Sequence, residues 1–389
     1  MLVGAIAGED QMRVAIDQAG RHPSAAERQD FAGAMAGELG AHPDPDDPTV
    51  LDPDCAVVDD SERVAGRRLH GRDPAIDKQA IPHDLPLGDR RCYRKAMSAW
   101  PNLSDLLLDD EADTPIALVG APLAAGSVTP GACDQAPVLL RQTLKRIGRY
   151  DIDIGRELVT PIRDRGDVAL AGLTIEQATD PIREAVAASI AAHPLTLVVG
   201  GNNAVTRPAV LALGVALDKV GLITLDAHFD MRDLDNGLSN GNPVRALMDD
   251  GLPGRNIAQI GLASFANTAK MHRDALAAGN QAISMEEVHR DGIRAAVDRA
   301  IDHVAHCEAL AVDCDIDVID RAQMPGAPGA RPGGMPVADF FWAVRALAGH
   351  QAVRVIDLTE WDPSLDMTDL SALTAARWLA ECVAGFEAR

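Results

Sequence analysis

Short apolar runs rich in β-branched residues recur at 116–119, 197–199, 222–225, 257–260, 310–312 and 353–356. Each is too short for a helix and apolar at successive positions, as expected of strands buried on both faces. Helical patterns lie between them. Leu140, Leu144 and Ile147 recur at i, i+4 and i+7 ahead of Gly148, a stripe predicted to end at a C-cap glycine. Thr174 and Gln177 form a capping box ahead of a stripe made by Ile182, Val186 and Ile190. This alternation predicts an α/β fold: three layers, α/β/α, around a mostly parallel sheet. Residues 185–206 are free of charge over a membrane-spanning length. Pro194, Gly200 and Gly201, with Asn202 and Asn203, make them a helix end, a turn and a strand instead. Up to residue 110 the strand signals are missing, and 42–48 is an acidic, proline-rich stretch expected to be loop or linker. The pattern therefore divides the chain into a partly irregular N-terminal extension, 1–110, and one α/β domain, 111–389.

Charge narrows the possible partners. The 389 residues include 36 basic and 58 acidic ones, a formal charge of −22, which repels phosphate backbones and anionic membranes. Aromatics make up 3%, too few for base-stacking platforms. Neither nucleic acid nor a membrane is expected as a partner. Cys55, Cys92, Cys133, Cys307, Cys314 and Cys382 are scattered with no Cys-x-x-Cys pair, so they read as buried thiols in a reducing cytoplasm. Glu9 and Asp10 stand where a secretory signal would be basic or apolar, and no export is expected.

The candidate chemistry sits at strand ends. Asp226, His228 and Asp230 follow the run at 222–225 with i, i+2, i+4 spacing, which puts them on one face of an extended chain. Asp313, Asp315 and Asp317 repeat the arrangement after 309–312. One such motif alone is equally well a solvated strand end capping a helix. Two on separate parallel strands converge on the crevice where ligands bind in this fold class. Asp226, Asp230, Asp315 and Asp317 together carry −4, which matches two divalent cations. Oxygen-rich ligation with one imidazole favours Mn²⁺ over zinc.

The segments Asp226-Ala227-His228-Phe229-Asp230, Asp315-Ile316-Asp317-Val318-Ile319-Asp320 with Pro325-Gly326, and Asp357-Leu358-Thr359-Glu360-Trp361-Asp362-Pro363 resemble, in order and spacing, the signatures of the ureohydrolases, the arginase–agmatinase–formimidoylglutamase family. Gly200-Gly201-Asn202-Asn203 stands where that family has Gly-Gly-Asp-His. The resemblance runs from about Pro115 to the C-terminus and implies an arginase-like metal hydrolase domain with two Mn²⁺ ions per chain. It implies that Asp226 and Asp315 bridge the ions, that Asp230 completes one shell, and that His228 and Asp317 complete the other. The remaining ligand falls on Asn203, a neutral and weaker donor where arginases have histidine. Asn240 likewise replaces a histidine and cannot shuttle protons. Glu360 would pair with the cationic nitrogen of an amidine or guanidine, and Asp230 would pass a proton to the leaving amine.

The reaction so implied is hydrolysis of N-formimidoyl-L-glutamate to L-glutamate and formamide, in histidine breakdown. A guanidino-acid hydrolase releasing urea is the alternative, and a metal-poor, non-catalytic homologue is the reading from another class. A carboxylate-bearing amidine calls for arginine, whose planar fork grips carboxylates. Arg331, on the loop 329–334, is the first candidate, with Arg207 and Arg245 behind it. The oligomeric state is open, a homo-oligomer being admitted.

Overall fold

The computed structural model describes residues 100–109 and 114–389. The N-terminal extension up to residue 99, with its 42–48 stretch, its first residues, Cys55 and Cys92, lies outside the described residues.

All six apolar runs form strands. In chain order the strands are β1 (Leu107–Leu108), β2 (Ile116–Ala121), β3 (Tyr150–Asp151), β4 (Arg156–Glu157), β5 (Ile162–Asp167), β6 (Leu195–Gly200), β7 (Val220–Leu225), β8 (Ile257–Leu262), β9 (Gln281–Ser284), β10 (Ala309–Asp315) and β11 (Val353–Thr359). The short pair β3 and β4 is antiparallel and stands apart. The other nine make one sheet in the order β1-β5-β2-β6-β11-β10-β7-β8-β9, with every neighbouring pair parallel. Parallel strands need crossover connections, and these supply the helices: α1 (Ala136–Thr143), α2 (Ile175–Ala192), α3 (Thr206–Leu211), α4 (Pro243–Asp250), α5 (Ala269–Ala278), α6 (Met285–Asp291), α7 (Ile293–Val304), α8 (Val337–Ala348) and α9 (Leu370–Phe386).

Alternation along each strand divides the core in two. Leu197, Val199, Ile223 and Leu225 pack with α1, α6, α7, α8 and α9 on one face. Val198, Val220 and Leu222 pack with α2, α3, α4 and α5 on the other. The Thr174–Gln177 capping box opens α2, and Ile182, Val186 and Ile190 are buried as expected.

Several details differ from the sequence expectation. The stripe through Leu140 does not run to a glycine cap: α1 ends at Thr143, Leu144–Arg146 is 3₁₀, and Ile147 is extended. Gly148 instead lies against the Trp100 indole and bridges to Asn102. The sheet also takes in β1, ahead of residue 110, with Leu103 and Leu106 buried in the core. Strand β5 reads IRDRGD, with no apolar run to reveal it; Arg141 of α1 holds its Asp164 at 2.7 Å and Asp167 at 2.6 Å. Among the described residues the cysteines are unpaired, with Cys133, Cys314 and Cys382 buried.

One close approach fixes the turn after β6. The Gly201 N–H donates to the Ala121 carbonyl and the Asn202 N–H to that of Leu123, both at 2.8 Å, while the Gly201 carbonyl accepts from Glu360 N at 3.0 Å. A Cβ on Gly201 would stand 2.0 Å from the Leu123 carbonyl oxygen, which is backbone and cannot step aside. Gly201→Ala is therefore expected to cost about 2–3 kcal/mol or more, as overpacking does. A urea midpoint equal to that of the parent would refute this.

Candidate active site

The four central strands, β6, β11, β10 and β7, are contiguous, and each ends in a turn that carries candidate residues. Asn203 opens a 3₁₀ turn after β6, Glu360 follows β11, Asp315 closes β10, Asp317 sits in the next 3₁₀ turn, and Asp226 to Asp230 follow β7. The β7 motif is not extended as its spacing suggested. The strand stops at Leu225, and the chain curls so that Asp230 takes a left-handed conformation, φ 52°. The curl still brings the three side chains together. Glu360 is left-handed too, φ 61°. Aspartate enters this region more readily than most residues, but glutamate is held there by its surroundings, commonly at functional sites.

Asp226, His228 and Asp317 each present a ligand atom within 4.8 Å of the others, and so do Asp226, Asp230 and Asp315. Asp226 belongs to both groups. Backbone amides hold these carboxylates in place: Asp226 Oδ1 accepts from His228 N at 2.6 Å, Asp315 Oδ1 from Asp317 N at 3.0 Å, and Asp317 Oδ1 from Ala227 N at 3.3 Å. His228 Nδ1 lies 2.9 Å from Asp317 Oδ2. Asn203 donates its amide hydrogen to Asp230, and its Oδ1 accepts from the hydroxyls of Thr206 at 2.6 Å and Thr359 at 3.1 Å. Glu360 Oε1 accepts from Asn203 N at 2.7 Å and from Asn240 Nδ2 at 2.9 Å. Asn240 Oδ1 in turn accepts from Val128 N, so the asparagine is a strut between Glu360 and the loop after β2.

All these carboxylates are buried, and burial is the first influence on each. It pushes Asp226 up to about 7, helped by the charge of Asp317 and opposed by His228. It pushes Glu360 up to about 7 against its hydrogen bonds from Asn240 and Asn203. Asp230 and Asp315 are also driven well up by burial and by neighbouring carboxylates. Burial pulls His228 down, but Asp317 and Asp226 outweigh it and lift the imidazole to about 11. Burial likewise opposes ionisation of Asp317, yet His228 holds it below its ordinary value. Asp226 Oδ2 is buried without a hydrogen-bond partner. Carboxylates crowded out of water and driven towards their protonated forms, one with an orphaned oxygen, are a donor set in which divalent cations can take the place of those protons.

A second buried pair went unrecognised in the sequence. Asp313, two residues before Asp315, does not line the cavity and meets Asp357 across the β10–β11 register. Neither Asp313 oxygen has another partner, and burial with the neighbouring Asp357 holds its carboxyl well above the ordinary range. A shared proton relieves such a pair. Register between two strands separated by about forty residues is what brings it together, and no local pattern encodes that.

A cavity of about 130 Å³ opens over this floor, bounded by His228, Asp230, Asp315, Asp317 and Glu360 below and by Val128, Asn240, Asn267, Met271 and two arginines at its mouth. Of the arginines expected there, Arg331 lines the cavity, with Nη1 donating to the Gly329 carbonyl at 2.7 Å. Arg245 does not line it, because its guanidinium is paired with Asp274 at 2.6 Å. Arg207 is paired with Asp250 at 2.7 Å and is also outside. The second arginine at the mouth is Arg232, two residues past Asp230. That position in the motif is the sequence signal by which it could have been found.

Residues 114–385 match the model of the arginase family. A formimidoylglutamase of Halobacterium salinarum is 32% identical over 282 residues, which are 71% of this chain and 89% of the relative. The crystal structure of formimidoylglutamase from Bacillus subtilis superposes with a TM-score of 0.71 at 25% identity, covering 80% of this chain and 96% of that one. The structure of Trypanosoma cruzi formiminoglutamase with Mn²⁺ superposes with a TM-score of 0.68 at 22% identity, over 75% of this chain and 99% of the other, a likeness of fold.

The buried charges predict how stability follows pH. Asp226 and Glu360 ordinarily titrate at 3.8 and 4.5 and are raised to about 7, so the folded chain keeps protons that the unfolded chain has released. Their contribution is full at low pH and is lost as pH rises through 7. His228, raised from 6.5 to about 11, adds a loss in the same direction over its own window. After chelator treatment the protein should therefore melt lower at about pH 8 than at about pH 5.5. A melting temperature that rises over this interval would show that the carboxylates are not desolvated together.

Proposed function

The chain belongs to the arginase family, and we propose that it hydrolyses N-formimidoyl-L-glutamate to L-glutamate and formamide, as its formimidoylglutamase relatives are named for doing. It is a hydrolase of C–N bonds in linear amidines, with a catalytic domain that we read as 111–389. The observation that carries the substrate assignment is the polarity of the cavity: carboxylates and one imidazole line the floor, guanidiniums from Arg232 and Arg331 stand at the mouth, and among the described residues no acidic side chain lines the mouth. Such a cavity takes a molecule that is cationic at one end and anionic at the other. We read the enzyme as cytoplasmic, in keeping with its unpaired thiols.

The floor would hold two Mn²⁺ ions, the metal named for the Trypanosoma cruzi neighbour. Asp226, Asp230, Asp315, His228 and Asp317 would hold them, Asp226 being common to both groups of ligand atoms, with Asn203 beside Asp230. When bound, such ions supply Lewis acidity and bring the pKa of water down towards neutrality. The chain's own residues do the rest. Glu360, with Oε1 engaged by Asn203 and Asn240, turns its other oxygen to the amidinium N–H and fixes the orientation of the reacting carbon. Asp230 is the carboxylate placed to give a proton to the departing amine nitrogen, so that glutamate leaves as a neutral amine rather than an amide anion. Asn240 orients Glu360 and moves no proton. Arg331 reaches the carboxylate end from the mouth.

Two experiments test this reading. Manganese-loaded protein assayed on formimidoyl and guanidino amino acids, with formamide, urea and ammonia read separately, should release formamide from formimidoylglutamate. Urea from a guanidino acid as the faster reaction would make the enzyme a guanidino-acid hydrolase. In the same preparation elemental analysis should find close to two ions per chain, and added Mn²⁺ should raise the melting temperature, by about 2.7 kcal/mol of stability at a hundredfold excess over the dissociation constant. Well under one ion and no thermal shift would leave the non-catalytic reading standing.

Single substitutions separate the floor residues. Asn203→His should tighten the weaker ion, since imidazole is the better donor. Glu360→Gln should lower kcat/KM by about ten- to a hundredfold on every amidine, the worth of one charge-assisted contact. An unchanged metal titration in the first variant, or full activity in the second, removes that residue from the site.

A further inference from the structure

Arg232 differs from the other arginines near the cavity in having no hydrogen bond or ion pair from its side chain to any described residue. Arg207 and Arg245 are tied to Asp250 and Asp274, and Arg331 donates to the Gly329 and Ala330 carbonyls. Exposed arginines without a partner are ordinary, and what sets Arg232 apart is that it lines the cavity. The Arg232 backbone N–H donates to the Gly241 carbonyl at 3.1 Å, next to the Asn240 that braces Glu360. The aliphatic stem then lies flat on the Gly241 backbone: a Cβ there would stand 2.7 Å from Arg232 Cδ and 2.8 Å from its Nε. Gly241 is not left-handed, so conformational freedom does not explain the glycine; the space above it does.

We propose that Arg232 selects substrates with an anionic end, and that Gly241 provides the bed that holds its guanidinium at the mouth of the cavity. The proposal rests on the amidine-hydrolase reading and deepens it. With cations on the floor its carboxylates are neutralised, and the two guanidiniums at the mouth supply the positive charge that an acidic substrate meets on entry. A guanidinium whose stem already lies along the backbone gives up less rotamer freedom on binding than a free arm would. Its unoccupied planar fork matches a carboxylate in two parallel hydrogen bonds. Arg331, with one nitrogen already committed to backbone carbonyls, is left to take a second carboxylate, so the mouth suits an amidine bearing two.

The test measures a selectivity ratio in the manganese-loaded enzyme: kcat/KM for N-formimidoyl-L-glutamate over kcat/KM for N-formimidoylpropylamine, which has no carboxylate. Arg232→Gln should cut that ratio by about ten- to a hundredfold, chiefly through KM, and Arg232→Lys should restore part of it by returning the charge without the fork. Gly241→Ala meets only a flexible side chain, so the protein should fold while the ratio falls as it does in Arg232→Gln; the double variant should be no worse than either alone. Inhibition by L-glutamate should weaken in step. An unchanged ratio and unchanged glutamate inhibition in Arg232→Gln overturn the proposal while formimidoylglutamate hydrolysis stands. A wild-type preference for a guanidino acid with urea release overturns the substrate reading instead, and the same ratio taken with that acid then judges Arg232. A wild-type preference for the carboxylate-free amidine overturns both.

Discussion

Five carboxylates, those of Asp226, Asp230, Asp315, Asp317 and Glu360, are held out of water at the ends of adjacent parallel strands, and much of the molecule serves to tolerate that arrangement. Like charges in a desolvated site push their carriers apart or into their neutral forms. Holding them together takes a frame that does not yield. Here the frame is the middle of a nine-stranded sheet, apolar on both faces, with the turn after β6 wedged against Leu123 so tightly that no side chain fits at Gly201. The left-handed backbone at Asp230 and Glu360 is the same force made visible: two residues whose local preference is overruled because the turn must aim them at a common point.

The two asparagines that depart from the family pattern acquire a common purpose in this light. Asn203, through its backbone N–H, and Asn240, through its amide, meet on one oxygen of Glu360 and leave the other free. The Asn203 share comes from the backbone and would survive any side chain there, whereas the Asn240 amide is a neutral donor that steadies the carboxylate without a proton titrating near neutrality.

The sheet was legible from the sequence wherever a strand is buried on both faces, because an apolar run then has no alternative. It was illegible in β5, where Arg141 rather than apolar burial secures Asp164 and Asp167. The clustering of Asp226, His228, Asp230, Asp315 and Asp317 was legible because motif spacing survives a change of backbone geometry: Asp226, His228 and Asp230 converge although the strand ends before them. Arginines were the least legible. An arginine in a promising position is claimed by whichever carboxylate the fold brings closest, and Asp274 and Asp250 claim Arg245 and Arg207 from elements far away in sequence. Only the folded chain distinguishes these from Arg232 and Arg331. The Asp313–Asp357 pair was hidden for the same reason, since strand register alone opposes the two.

The contiguity of β6, β11, β10 and β7 also bears on exchange with solvent. Sheets open from their edges, where a strand has one neighbour to lose, and here the edges are β1 and β9. Every turn that carries a candidate residue follows a strand paired on both sides, so the low-energy fraying of this sheet does not reach these turns. The cavity over the floor opens past Arg232, Arg331 and Met271. A substrate seated in that opening would stand between the floor and solvent and double as a stopper.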